Sequence, residues 1–478
     1  MTASRSETLM ERLPPFVTDL FTDRRALMAL IASCLALAAA GLDPHVLDPG
    51  GRRVTEAIAA DKSIESLVAL AALAQAGFVL LGGAVADLWR SRRLLQVALG
   101  MLIVASVGAT VFPDGPGLVV SRVLAWAGDG LIIPFAVGMV AVVYKGPERA
   151  TALGLLFAVY GATTALAPFL VTVFGSHGPE IQAFGLCAIV AIIAIWTTQR
   201  FMPDLPGAER GQRMLIVTTV LWAFGVVMLV MGLITWEPVW MAVALLPILA
   251  ALAARRVAHR GKEQGVHVRA GGAALAAGIV IGFAQAVPML VVPSFFTVVQ
   301  GIDGMIATLF VAPFAIALFA AGPVAGWLLQ RYSPRTIIAG GTLAIALANL
   351  AFVLVLQPDA SYLLFIIPFA LVGGGFVIGT AVRTAVIFAA TPARLPATAA
   401  ALNEASIGVG ARMGVTMVVL LRAGWIPGAE TALAQDRLAL VVAMLVGFAG
   451  AVVVFLLQGR QDPVKSVWDL RDERVPTA

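Results

Sequence analysis

The stretch SRVLAWAGDGLIIP, residues 121–134, carries an arginine and an aspartate inside an apolar run that extends from near Leu118 to near Tyr144. An ionised side chain in hydrocarbon is costly, so charges placed this way normally face a cavity or a partner. Arg122 and Asp129 are seven residues apart. That spacing puts them on one helix face but about 10 Å apart along the axis, too far for direct contact. Asp129 is flanked by Gly128 and Gly130, which let a second helix or a ligand come close. Low-dielectric surroundings disfavour the ionised form of a carboxylate, and a carboxylate that exchanges its proton near neutrality is what a proton carrier needs. Asp129 is therefore a candidate to carry a proton or to meet a cationic ligand, with Arg122 positioning it or compensating its charge. The alternative is an aspartate hydrogen-bonded to Ser, Thr or water that serves packing alone.

Other charges fall in apolar runs. Glu404 lies ten residues after Arg394 and Arg383 eleven before it, so both sit roughly 15–16 Å from that end of their spans at 1.5 Å per residue. They are level on antiparallel neighbours and are expected to form an ion pair. Asp129, sixteen residues before Lys145, lies roughly 24 Å in. Asp43, Arg122 and Arg412 belong to the opposite half of the depth, where Asp43 is placed to pair with either arginine. Arg383 and Arg412 have the alternative of snorkelling towards a wetter depth. Gln75, Gln285 and Asn349 are uncharged polar residues in spans, placed to line a cavity or to join helices.

No other chemistry competes with these charges. The chain has no Gly-x4-Gly-Lys-Ser/Thr phosphate loop. His45, His177, His259 and His267 show no metal-ligand spacing, and there is no nucleophile elbow. GVGARMG, residues 408–414, resembles a nucleotide loop but lies inside a span, where it is read as a small-x3-small helix contact. Cys34 and Cys187 both fall in spans and are read as packing residues rather than a disulfide. No enzyme activity, cofactor or metal is expected.

The elements that hold these residues follow from composition. The chain is 60% hydrophobic and 12% charged, with a mean hydropathy of +0.95, too apolar to cover a water-soluble core. Fourteen runs are of span length, near 26–48, 64–88, 94–112, 116–143, 150–174, 180–200, 214–235, 238–256, 272–299, 305–329, 336–356, 361–389, 397–421 and 434–457. They are long and continuous, unlike the short alternating strands of a barrel. With the N-terminus cytoplasmic, most of the 32 basic residues fall on the cytoplasmic side. Arg52, Arg53, Lys62, Arg422 and Arg437 fall outside, and Arg122, Arg383 and Arg412 within spans. An all-helical multi-pass protein of the plasma membrane, with both termini cytoplasmic, is expected. The net charge of +5 and pI near 9.6 reflect that topology and give no reason to propose nucleic acid as a partner. Residues 1–24 are mixed polar and show no cleavable signal pattern.

The two ends of the chain repeat each other. AGDGLIIPFAVGMVAVVYKGPERATA (127–152) and VGGGFVIGTAVRTAVIFAATPARLPATA (372–399) share a Gly-x-Gly, a Pro-x-Arg and an Ala-Thr-Ala in order. GAVADLWRSRR (83–93) and GPVAGWLLQRYSPR (322–335) form a second pair. Both pairs are displaced by eight spans, so two spans are inserted between two sets of six. The boundaries are a segment 1–24, a six-helix half 25–200, linkers with the inserted pair 201–265, a six-helix half 266–458, and a tail 459–478. The polar stretches PDLPGAERGQR and RRVAHRGKEQGVHVR on either side of the inserted pair are hinges between the halves or ordinary loops.

These motifs resemble the major facilitator superfamily over nearly the whole chain, and within it the fourteen-helix drug:proton antiporters. The superfamily's loop after the second helix reads roughly G-x-L-A-D-R-x-G-R-K; here Gly83, Ala86 and Asp87 are in place, Arg92 and Arg93 supply the basic end, and Arg90 takes the later glycine position. Leu42-Asp43 stands eighteen residues after Arg24-Arg25, as in that branch, but PHVLDPGGRR follows where the branch continues apolar. Of the fourth-helix R-x-x-Q-G-x-G, Arg122 and Gly128 are kept, while Ala125 and Trp126 replace Gln and Gly. Of the fifth-helix A-L-G-P-x-x-G-G, ALAPFLVT keeps the Ala-Leu and Pro168.

The resemblance implies two six-helix halves rocking about a central cavity, and proton-coupled export of a lipophilic or amphiphilic small molecule by a monomer. It gives Asp43 and Glu404 the same candidacy as Asp129 for carrying the proton, and makes Gly83, Asp87, Arg92 and Arg93 a gating loop. Trp126, Met289, Phe295 and Phe296 are candidates to line the cavity with Gln75, Gln285 and Asn349, although aromatic residues on helices also serve packing. The prolines at 134, 168, 288, 293, 313, 323 and 368 are expected to kink helices. The altered fifth-helix motif keeps a lipid or nutrient transporter of the same fold as an alternative. Another is a sensor or scaffold without transport, acting through QDPVKSVWDLRDERVPTA; deletion of residues 461–478 separates it from a transporter.

Overall fold

The computed structural model describes residues 23–42, 78–87, 91–112, 115–144, 146–175, 181–202, 268–302, 304–391, 395–422 and 431–457, with a few positions between 217 and 250. Almost all of the inserted spans lies outside the described residues, as do Asp43, Gln75, most of both polar linkers and the tail. Among the described residues the regular structure is helical, as hydrocarbon requires of a chain that must satisfy its backbone groups within each segment.

The first group of helices is α1 (Arg24–Leu42), α2 (Phe78–Asp87), α3 (Ser91–Val111), α4 (Gly115–Val143), α5 (Gly146–Gly175) and α6 (Ile181–Phe201). The second is α7 (Val268–Val298), α8 (Gly304–Leu309), α9 (Ala312–Ala321), α10 (Val324–Arg331), α11 (Pro334–Val355), α12 (Ile366–Ala390), α13 (Pro396–Arg422) and α14 (Ala432–Leu457). Among the described residues eight helices are long and apolar enough to cross a membrane. Their outward faces carry exposed Val97, Val104, Leu371 and Leu456, an apolar surface suited to lipid tails. Asp23 caps α1, its Oδ1 accepting from the N–H of Arg25 at 2.8 Å and of Ala26 at 3.4 Å.

The span expected at 305–329 is three helices rather than one. Pro313 and Pro323 have no N–H to give to the preceding turn, and the chain breaks at Phe310–Val311 and Gly322–Pro323.

The two groups pack by one scheme. In the first, α1 lies against α4, α5 and α6, and α3 against α4 and α6; in the second, α7 lies against α12, α13 and α14, and α11 against α12 and α14. Across the groups, α4 meets α13, and α5 meets α8, α9, α10 and α12. The glycines that open the second pair of repeated segments do the same work in both. A side chain on Gly83 would collide with Ala397 and Ala401 of α13; one on Gly322 would collide with Gly154 and Ala158 of α5. Small residues at such crossings let backbones touch, which is how helices associate where burial of apolar surface gives no driving force.

At one end the second group is tied by side chains to backbone. Gln300 Nε2 donates to the carbonyls of Pro358 at 3.2 Å and Ala360 at 3.0 Å. Arg437 donates to the carbonyl of Leu356 at 2.7 and 3.1 Å, and Arg422 pairs with buried Asp436 at 2.8 Å.

Candidate functional site

The end of the bundles where α2 finishes and α3 begins is closed by contacts between the two groups. Asp87, the last residue of α2, is buried against the first turn of α13. Its Oδ1 accepts from the N–H of Ala397 at 3.0 Å, and its Oδ2 accepts from the N–H and Oγ1 of Thr398 at 2.8 and 2.6 Å. A carboxylate here satisfies donors that a helix start leaves open and complements the positive end of the helix dipole. Gly83 brings α2 against α13, Gly138 brings α4 against Pro396 and Ala397, and Gly154 meets Gly322 backbone to backbone. Arg92 is half-buried beside this contact in sequence, and Arg93 is exposed. In the other copy of the repeat Gly326 stands where Asp87 does, so this carboxylate latch has no repeat-related twin.

Deeper in the bundles lie the charged residues. Asp129 on α4 is 1% exposed. Tyr160 on α5 is half-buried, and the charges of Asp129 and Glu404, one from each group of helices, both act on its hydroxyl. Tyrosine is scarce here, four in 478 residues, and a hydroxyl in the middle of an apolar span was the signal that would have found it.

Glu404 on α13 is half-buried and accepts from Asn403 Nδ2 at 3.0 Å. Thr384 on α12 donates to Asn403 Oδ1 at 3.0 Å, which fixes the register of α12 against α13.

The direct ion pair expected between Arg383 and Glu404 is not formed. Arg383 is fully buried, and its guanidinium donates to Ser406 Oγ at 2.7 Å and to the carbonyls of Ala274 and Asn403, each at 3.5 Å. Gly278 of α7 makes room for it, since a side chain there would fall on the guanidinium. Arg383 thus ties α12 to α7 and α13, and acts on Glu404 through the field of its charge and through their shared neighbour Asn403. The physical reason is rotation: depth puts the two residues level, but Arg383 points at the α7–α13 seam.

Arg412 is half-buried two turns beyond Glu404. Arg122 lies in α4, with its side chain outside the described set. Trp126, Gln285 and Met289 are half-buried.

Phe295 and Phe296 do not face a cavity. Both are fully buried, in an aromatic cluster where Phe296 meets Phe310 at 4.6 Å between ring centroids, Phe365 stacks on Phe295 at 6.2 Å, and Phe352 meets Phe369 at 5.0 Å. Edge-to-face and offset packing of this kind joins α7, α11 and α12. Asn349 is likewise fully buried and joins helices rather than lining a space, its Nδ2 donating to the carbonyls of Ala284 and Ile345, both at 3.0 Å.

The chain is 28% identical to the puromycin resistance protein pur8 of Streptomyces alboniger, over 76% of this chain and 75% of that protein. It is 28% identical to a triacylglyceride transporter of Mycolicibacterium smegmatis over 55% of this chain, and the match spans half of that relative's length, 50%. The structure of the proton:xylose symporter XylE bound to 6-bromo-6-deoxy-D-glucose shares the fold, with a TM-score of 0.63 at 12% identity, covering 93% of this chain and 98% of that one. The family model described as Major Facilitator Superfamily matches residues 20–415. Its helices fall into two like-built groups and that model matches most of its sequence, so this chain is a multi-pass membrane protein that belongs to the Major Facilitator Superfamily.

Proposed function

We propose that the chain exports a lipophilic or amphiphilic small molecule in exchange for protons, by alternating access of the halves 25–200 and 266–458 about a central route. The observation that carries this reading is the placement of Asp129, 1% exposed, and Glu404, half-buried, inside apolar helices of different groups. A proton carrier needs a carboxylate held away from bulk water and near the path of its competitor, and buried carboxylates between helices meet that need. The resistance protein from Streptomyces and the triacylglyceride transporter point to lipophilic cargo, and half-buried Trp126, Gln285 and Met289 offer apolar contact with a few polar groups. Asp43 keeps its candidacy as a third carboxylate. The topology that goes with this reading has fourteen spans, with both termini cytoplasmic and the protein a monomer in the plasma membrane.

The test is proton release from purified protein in weakly buffered detergent as lipophilic cations, neutral amphiphiles and a triacylglyceride are added in turn. Wild type is expected to release protons with at least one class, and Asp129→Asn to bind that ligand without release. Release of equal size from the variant would take the proton-carrier role from Asp129 and turn the test to Glu404→Gln. Tight binding of the triacylglyceride alone, with no proton released, would favour lipid transport.

A further inference from the structure

Pro288 lies inside α7, where it cannot donate to the carbonyl of Ala284 four residues earlier. That carbonyl is at the centre of the second group of helices, and Ala284 is fully buried. A buried carbonyl left without a donor is strongly unfavourable. The donor comes from another helix: Asn349 of α11 reaches across and gives one N–H of its amide to Ala284 O at 3.0 Å, and the other to Ile345 O, also at 3.0 Å. Its Oδ1 accepts from nothing among the described residues. The amide is therefore held for its two hydrogens, in a place where aspartate or leucine of similar size would have none to give.

We propose that Asn349 is a positioning residue that satisfies the carbonyl Pro288 frees within α7 and so sets the course of the segment beyond it. A proline interior to a helix frees one carbonyl and bends the axis, and the bend persists where a neighbour re-satisfies the freed group. Pro288 stands between Gln285 and Met289, both half-buried on the same helix. Asn349 acts on the transport route through the backbone of Ala284, at a distance from any cargo. That functional consequence rests on the reading of α7 as lining the route; the hydrogen bond from Asn349 to Ala284 does not.

A double-mutant cycle tests the pairing on full-length protein purified in detergent, in a background where Cys34 and Cys187 are serine and Met289 is cysteine. Thermal unfolding and the rate at which residue 289 reacts with a polar maleimide are measured for Asn349→Leu, Pro288→Ala and both together. Asn349→Leu alone is expected to lower the melting temperature by a few degrees and to change the labelling rate roughly fivefold or more, the factor that goes with one buried carbonyl losing its donor. In the Pro288→Ala background, where residue 288 regains an N–H for Ala284, the same substitution is expected to change neither quantity. Equal effects in both backgrounds, or no effect in either, would overturn the proposal. If Asn349→Leu alone yields no folded protein, the double variant is expected to be recovered folded, and its failure would overturn the proposal as well. The cycle reads the pairing without reference to cargo or protons, so its outcome is separate from that of the proton-release experiment.

Discussion

A leucine in place of Gly154 is expected to abolish transport while leaving a folded, membrane-inserted protein. The Cβ of any residue at 154 would fall on the backbone of Gly322, and backbone, unlike a side chain, cannot turn aside. Overpacking of that kind costs about 3 kcal/mol, occasionally more. The strain falls on the arrangement in which α5 and α10 meet at this end, and not on the interior of either group, because the clash is between groups. A penalty of about 3 kcal/mol shifts the ratio of closed to open forms roughly a hundredfold. Spin labels at exposed Arg93 and Tyr332, one on each group near the same end, are expected to report longer separations in the variant. Gly340→Leu is the control, since Gly340 of α11 has open space around it. Wild-type transport and unchanged separations in Gly154→Leu would show that closure does not pass through this crossing.

Removal of the Asp87 carboxylate has the second largest expected effect. Asp87→Ala takes away the acceptor of three hydrogen bonds that cross between the groups, two from backbone N–H and one from Thr398 Oγ1. Water replaces them only when the end opens, so the loss destabilises the closed form specifically. Truncating one side of a buried, charge-assisted contact costs about 3 kcal/mol, again roughly a hundredfold in the ratio of closed to open forms. Asp87→Asn is expected to be milder, since its oxygen still accepts but its NH2 faces donors. Thr398→Val is expected to cost less in the Asp87→Ala background than in wild type, because its partner is already gone. The same pair of spin labels measures all four variants. Additive effects of the two substitutions would detach Thr398 from the latch.

Much of this architecture was legible in the sequence because the solvent enforces it. In hydrocarbon a span must be helical and apolar, so run length marked most of the long helices among the described residues, although the run at 305–329 is three helices. The loop motif singled out Asp87, which the structure buries against the start of α13. Depth along a span also follows from the rise per residue, which placed Arg383 level with Glu404.

Partners were decided only by the tertiary structure. Successive residues on a helix point about 100° apart, so a small rotation of one helix selects a different neighbour at the same depth. Rotation is set by how the small residues of α7, α12 and α13 interlock, and no local pattern records it. That is why Arg383 turns to Ser406 and the carbonyl of Ala274 instead of Glu404, and why Asn349 serves a carbonyl that Pro288 freed. It is also why Phe295 and Phe296 stack among aromatic rings rather than face a cavity. The acceptor on Asp87 meets donors 310 and 311 residues away, a separation over which sequence alone determines that a charge needs a partner, and only the packed helices determine which one it finds.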